Sequence, residues 1–206
     1  DAIVYLGLRE DTDPDTMRWA LRSAQAGGPT FPADDFVARW PVERHDHVLI
    51  PSGTVHCSGA GSMTLEISAT PYIFTFKMWD WGRTGLDGLP RPVHLDHAFA
   101  NIDWSRREAW VARELLHRVE PRGSGPGWRS EVTGLHELEF IETTRHWFTG
   151  PVDHDTRGTV HVLNLVHGSE VVVESPGGAA VGPYRITPTA PGEHATLRAH
   201  VRGTED

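Results

Sequence analysis

The apolar positions change period along the chain, and the changes mark out its elements. Residues 2–8 (AIVYLGL) are β-branched and aromatic and read as a strand. Asp13-Pro14-Asp15 then starts a helix, with a side-chain cap, proline at the first helical position and an acid near the positive end of the helix dipole. Met17, Leu21 and Ala24 follow at helical spacing, with Trp19 beside them, and Gly27-Gly28-Pro29 stops the helix. A second short helix is expected to carry Phe36, Val37 and Trp40 and to end at Pro41. From His47 the period becomes two. Residues 47–50, 54–58, 62–68 and 72–79 read as four short strands, with Pro51-Ser52-Gly53 and Gly59-Ala60-Gly61 as turns. Residues 82–92 form a Gly/Pro loop. Residues 94–104 and 105–117 read as helical or turn-rich, the second carrying Trp110, Val111, Leu115 and Leu116. Residues 122–127 (RGSGPG) are the best linker candidate. Beyond them strands return at 138–143, 160–166, 170–174, 184–187 and 196–201.

Strands, a helical insert and more strands predict an all-β sandwich or barrel built from two β-units. The 206 residues allow one large domain or two small ones, and 38% hydrophobic with 23% charged residues is enough to bury a core. No stretch approaches the ~18 consecutive apolar residues of a spanning helix. A formal net charge of −9 argues against a nucleic-acid backbone as partner. Cys57 is the single cysteine, which excludes an internal disulfide and a Cys-rich zinc site and suits a reducing, cytoplasmic compartment. There are 13 His, and 18 Arg against a single Lys, Lys77. The chain opens on Asp1 and runs straight into a strand, with no basic-then-apolar leader pattern, so it is expected to be a piece of a longer polypeptide.

The most specific local pattern is His45-Asp46-His47-Val48-Leu49-Ile50-Pro51-Ser52-Gly53-Thr54-Val55-His56. Pro and Gly make a tight turn that aims the next strand. Alternation then puts Thr54, His56 and Ser58 on one face and Val55 and Cys57 on the other. His56 either points inward, where a neutral imidazole binds a divalent metal, or is an ordinary histidine following a turn. Next, Met63, Leu65 and Ile67 alternate with Thr64, Glu66 and Ser68. Tyr72, Phe74, Phe76 and Met78 then alternate with Ile73, Thr75, Lys77 and Trp79. Three successive strands thus each offer one functional group: His56, Glu66 and Lys77. In a meander they meet in one cavity; the alternative is a solvent face with a Glu66–Lys77 cross-strand ion pair. Arg83 and Arg91 flank the Gly/Pro loop and either hold an anion by charge-assisted bonds or are solvated. His45 and His47 abut the turn and read as loop residues, and His154, His161 and His167 lack ligand spacing. There is no nucleophile elbow, P-loop or dinucleotide fingerprint.

Pro51-x-Gly53-x-x-His56 between two strands resembles the second signature of the cupin barrel. With residues 48–66 (VLIPSGTVHCSGAGSMTLE), Trp79-Asp80-Trp81-Gly82-Arg83 and Gly88-Leu89-Pro90-Arg91-Pro92-Val93-His94, the chain resembles class I mannose-6-phosphate isomerases, most of all the short bacterial type built from cupin domains. The resemblance covers roughly residues 2–104. Residues 134–142 (GLHELEFIE) and 160–168 (VHVLNLVHG) are similar to that family's C-terminal cupin.

The resemblance implies an all-β bicupin of jelly-roll (double-stranded β-helix) type with a small helical insert. Residues 1–120 would be a first cupin domain, incomplete at its N-terminus, and 121–206 a second, metal-less one. It implies zinc-dependent aldose–ketose isomerisation of a sugar phosphate, of the mannose 6-phosphate to fructose 6-phosphate type. Zinc is held by two His and a Glu, one His being His56, and polarises the sugar oxygens while a base moves a proton through an enediol. The family usually has Arg on the 72–79 strand; this chain offers Lys77, after a one-residue difference, to steady the enediolate or the phosphate. The resemblance thus assigns Lys77, Arg83 and Glu66 as catalytic, Arg91 as substrate-binding and His56 as a metal ligand. The partner is a small sugar phosphate, with no nucleic acid and no membrane. The first cupin signature, with the other His and the Glu, is expected just before Asp1. Residues 173–178 and 179–184 run together where the family places a further strand or two. Rival readings are a non-catalytic sugar-binding or regulatory cupin and a different metal-dependent cupin enzyme.

Overall fold

The computed structural model describes residues 2–68, 75–134, 137, 141–156, 160–174, 184–186 and 194–200. Strands predominate over short helices, a β-rich composition compatible with a cupin. The chain divides into two compact units, Asp1–Val119 with Thr133–Thr143, and Glu120–Val132 with Thr144–Asp206.

The first unit is organised by β1 (Ile3–Leu8), the middle strand of an antiparallel sheet with β2 (Val37–Pro41) and β3 (His56–Ser58) at its edges. The register shifts between Tyr5 and Leu8, where Gly7 adopts φ +72°. This extra residue returns Leu8 to the face of Tyr5. Tyr5 and Leu8 therefore join Met17, Leu21, Phe31, Phe36, Val37 and Phe99 in one core. Leu6, on the opposite face, packs with Leu49, Val111 and Leu115 in a second core. Both faces of β1 are covered, which is why its run is apolar without alternation.

Helix α1 (Pro14–Gln25) starts as the sequence predicts: Asp13 Oδ1 accepts from the Thr16 N–H at 2.8 Å and from the Thr16 hydroxyl at 2.7 Å. Those bonds, the hydroxyl's first, hold the Asp13 carboxyl below the usual carboxylate range. The expected second helix is shorter. It is α2 (Ala33–Phe36), and Val37 to Pro41 instead form β2 against β1, because pairing and the burial of Val37 and Ala38 outweigh one more helical turn. Helices α3 (Leu95–Asn101) and α4 (Glu108–Glu114) lie inside the two predicted helical stretches.

The expected strand at 62–68 is irregular. Met63, Leu65 and Ile67 are 102%, 55% and 50% exposed, and among the described residues no neighbouring strand supplies a ladder there. Residues 75–79 of the next expected strand are irregular too, and 72–74 lie outside the described residues.

In the second unit the predicted linker is a hairpin. Strand β4 (Glu120–Gly125) pairs antiparallel with β5 (Trp128–Thr133), which is followed in the sheet by β6 (Thr143–Phe148). Trp128 lies over the glycines of β4: a Cβ at Gly125 would come within 2.5 Å of its ring. The glycines that signalled a linker make room for an aromatic ring instead. Strand β7 (Val152–Asp155) pairs parallel with β10 (His194–His200), which pairs parallel with β8 (Glu170–Glu174), and β8 pairs antiparallel with β9 (Tyr184–Ile186). Strands predicted near 170, 184 and 196 are thus present. The one at 160–166 is irregular, and 138–140, 187 and 201 lie outside the described residues.

Because Leu21 is fully buried in the first core, Leu21→Ala is expected to lower stability by roughly 2–5 kcal/mol in denaturant unfolding. Met63→Ser is expected to stay within about 0.5 kcal/mol of the parent.

Candidate functional site

The Trp79–Arg83 motif is fastened to the first core by its aromatics. Trp79 meets Phe31 edge-on at 6.0 Å, and Trp81 meets Tyr5 at 5.7 Å. Between the two tryptophans, the Asp80 side chain is only 12% exposed. The loop after it folds back on itself. Arg83 N–H donates to Asp80 O at 3.0 Å, Gly85 N–H to Leu89 O at 2.8 Å and Arg91 N–H to Arg83 O at 3.1 Å. Its base is held by His94 N–H donating to Lys77 O at 2.7 Å.

This folding brings three of the sequence-predicted residues together. Lys77 Nζ lies 3.4 Å from Asp80 Oδ2, Arg91 Nη1 3.4 Å from the same oxygen and Arg83 Nη1 3.8 Å from Oδ1. One sheltered carboxylate thus gathers three cations, each of which keeps a large part of its side chain in solvent. Lys77 has Asp80 as its ion-pair partner rather than Glu66. Arg83 also acts on Cys57: burial pushes the thiol up, while a hydrogen bond with Trp81 and the Arg83 charge oppose it.

His56 and Glu66 are exposed and stand outside this cluster. His56 Nδ1–H donates to Thr54 O at 2.9 Å, which fixes the tautomer and leaves the lone pair on Nε2. That is the form a ligating histidine takes. Among the described residues, however, no group of three His, Cys, Asp or Glu side chains converges, and one imidazole does not hold zinc. The described residues by themselves do not fit a zinc site. A shallow hollow of about 410 Å³ lined by Ala2, Pro41, Val42, Glu43 and Asp46 contains none of the candidate residues.

No family model matches the chain, and no solved structure matches it. Two proteins resemble it in sequence. Mannose-6-phosphate isomerase of Streptococcus mutans serotype c is 23% identical over 139 residues, 66% of this chain and 39% of that protein. Mannose-6-phosphate isomerase ManA of Bacillus subtilis is 31% identical over 70 residues, 34% of this chain and 22% of that protein. The chain is a distant relative of mannose-6-phosphate isomerases. It spans well under half the length of the curated relatives it matches.

Sequence reasoning missed Arg106, which fixes the Pro51–Thr54 turn ahead of His56. Its side chain is 6% exposed. Nη1 donates to Pro51 O at 2.8 Å, Ser52 O at 2.6 Å and Thr54 Oγ1 at 2.5 Å, while Nε lies 3.2 Å from Asp103 Oδ2. Gly53 sits in the turn at φ +87°, where a Cβ would come within 2.8 Å of Asn101 O. Asp103 N–H donates to Gly53 O at 3.0 Å. Arg106→Ala removes these bonds. It is expected to cost at least ~1.5–3 kcal/mol, the worth of one hydrogen bond to a charged group, in denaturant unfolding. An unchanged midpoint would refute the role.

Proposed function

We propose that the chain carries a sugar-phosphate aldose–ketose isomerase activity, of the type that interconverts mannose 6-phosphate and fructose 6-phosphate. Its two units would be two cupin domains, the second without a metal. The observation that supports this most directly is the convergence of Lys77, Arg83 and Arg91 on Asp80. Three positive charges against one negative leave a local excess of two in a chain whose formal net charge is −9. Solvent-exposed ion pairs are worth only ~0–1 kcal/mol each. The cations are therefore oriented by Asp80 without being consumed by it, and they remain available to an anion. The distant relationship to two mannose-6-phosphate isomerases points to a sugar phosphate as that anion.

Isomerisation moves a proton between adjacent carbons through an enediol and leaves a developing negative charge on oxygen. In this reading Lys77 and Arg83 stabilise the enediolate, and no proton transfer is assigned to Glu66, which stands outside the cluster. Arg91 holds the phosphate, since a planar guanidinium matches its geometry with two parallel bonds. His56 would offer its Nε2 lone pair to a metal if one were bound, and no step is assigned to a metal, because the described residues do not complete a site.

Lys77→Met keeps the length of the stem and removes the charge. Turnover of mannose 6-phosphate is expected to fall by at least ~10²-fold, as for a lost electrostatic stabiliser. Thermal unfolding should change little, because Lys77 is 44% exposed. Unchanged turnover would make Lys77 an ordinary surface partner of Asp80. Binding of the sugar phosphate without turnover by the parent protein would place the chain with non-catalytic sugar-binding cupins.

A further inference from the structure

The second unit holds a line of polar groups that the isomerase reading does not use. Ser130 on β5 is buried, and its hydroxyl lies 2.6 Å from His146 Nδ1 on β6. His146 Nε2 lies 3.2 Å from His154 Nδ1 on β7. His154 Nε2 lies 2.7 Å from His161 Nδ1 in the segment that follows. His146 and His154 are half-buried and His161 is exposed. The ring centroids are 5.3 Å and 4.8 Å apart, with interplanar angles of 81° and 74°. Each separation exceeds the corresponding nitrogen–nitrogen distance by nearly two ring radii, so the rings meet end to end. Their ring nitrogens face one another in series and do not converge on a common point, which is the geometry of a hydrogen-bonded chain and not of a metal cage.

Such a chain has a strict proton count. Each contact needs one hydrogen and one lone pair, and a neutral imidazole supplies one of each. Two arrangements satisfy every contact. In one, Ser130 donates to His146, His146 to His154 and His154 to His161. In the other, every bond runs the opposite way. One added proton is tolerated, because a ring that carries both N–H groups can donate to both of its neighbours and every contact still has one hydrogen and one lone pair. A second leaves a single lone pair for the two contacts between imidazoles and sets two N–H groups against each other.

We propose that Ser130, His146, His154 and His161 form a proton relay that fastens β5, β6 and β7 together while the imidazoles are neutral and releases them when a second proton enters, making this corner of the second unit an acid-sensitive switch.

The surroundings act in the same direction. Val152 and Val171 form an apolar cluster with Trp128 and Phe148. By strand alternation Trp128 shares a face with Ser130, Phe148 with His146 and Val152 with His154. Burial, with the charges of His154 and Arg122, holds His146 down at about 4. Burial first, then His161 and Arg122, lowers His154, and Asp155 opposes this. Arg122 approaches from β4, where its guanidinium donates to Thr144 Oγ1 at 2.9 Å. Arg145 on β6 and Glu131 on β5 pair with each other on the other face of the sheet, away from Ser130 and His146. For histidines lowered in the folded state, the stability they contribute is complete above the ordinary imidazole range. It is lost as pH falls from about 6.5 towards 4, because the unfolded chain then binds more protons.

The test uses the whole chain. Long-range proton–nitrogen NMR of the imidazoles should show one N–H per ring at pH 7, His146 titrating well below the ordinary imidazole value of 6.5, and loss of the His146–His154 coupling across the hydrogen bond on acidification. In thermal unfolding, the parent's midpoint should fall between pH 6.5 and 4.5 by at least twice the fall of His154→Leu, which keeps the bulk apolar and removes the middle of the relay. Equal acid sensitivity of parent and variant would overturn the proposal, as would three imidazoles titrating together in the ordinary range. If His154→Leu does not fold, the NMR titration of the parent decides alone.

Discussion

Much of the first unit hangs on one arginine. The Arg106 guanidinium is sheltered from water: Nη1 donates to two carbonyls and a hydroxyl of the Pro51–Thr54 turn, Nε makes an ion pair with the Asp103 carboxylate without a hydrogen bond of its own, and the guanidinium lies 5.5 Å from the Trp110 ring. Its own carbonyl accepts the Leu8 N–H at 2.9 Å. A single residue therefore ties the central strand, the turn that leads into β3 and the start of α4 to one another. A desolvated guanidinium needs its charge compensated and acceptors close at hand, so the turn and the arginine constrain each other's geometry. Hydrogen bonds from Ser105, ahead of the Arg106 charge, hold the Asp103 carboxyl below its usual range, so this partner stays ionised through neutral pH.

The candidate site borrows its rigidity from the same core. Phe31 stacks on Phe36 at 5.4 Å and receives the edge of Trp79, so the loop carrying Asp80 is anchored by ring packing on both sides of the acid. Irregular backbone between two aromatic anchors can hold a charge cluster that a free loop could not. The exposed apolar residues at 62–68 show the contrast, because nothing comparable fastens them among the described residues.

What could be read from the sequence was local. Asp13, Pro14 and the Met17–Leu21–Ala24 spacing specify α1 within one stretch of chain, and Pro51 and Gly53 mark the position of a turn by their own residue types. The β2 strand was misread because Phe36, Val37 and Trp40 also fit a helical stripe, and only pairing with a strand some thirty residues earlier decides between them. The hairpin of β4 and β5 was misread as a linker because glycine marks both flexibility and close approach, and the ring of Trp128 distinguishes the two. Arg106 left no signal, since its acceptors lie more than fifty positions away. The histidine line escaped for a related reason. Its spacings of eight and seven residues match no helical or strand ligand pattern, and the rings meet only across strands. Lys77, Arg83 and Arg91 were singled out as the lone lysine and two loop arginines, but the residue that assembles them, Asp80, was seen only as part of a motif.

Charge also bears on what such an assembly would do in the proposed reading. A chain with a formal net charge of −9 repels an anionic ligand at long range, and screening confines any local attraction to about 8 Å at physiological salt. Scattered arginines would each be offset by the acidic background. Three cations held within 4 Å of one carboxylate create a field of the opposite sign over a patch about as wide as that screening length. Asp80 removes one charge from the patch but fixes where the remaining two are felt. Position matters more than charge count in recognising a small, doubly charged group, because a flexible cation spends its attraction on ordering itself. The two ends of the cluster are not equivalent either. Lys77 offers a compact point charge suited to an oxyanion, whereas the arginines offer planar forks suited to a phosphate. In the proposed reading, exchanging lysine and arginine across the cluster would preserve the net charge and still disturb recognition.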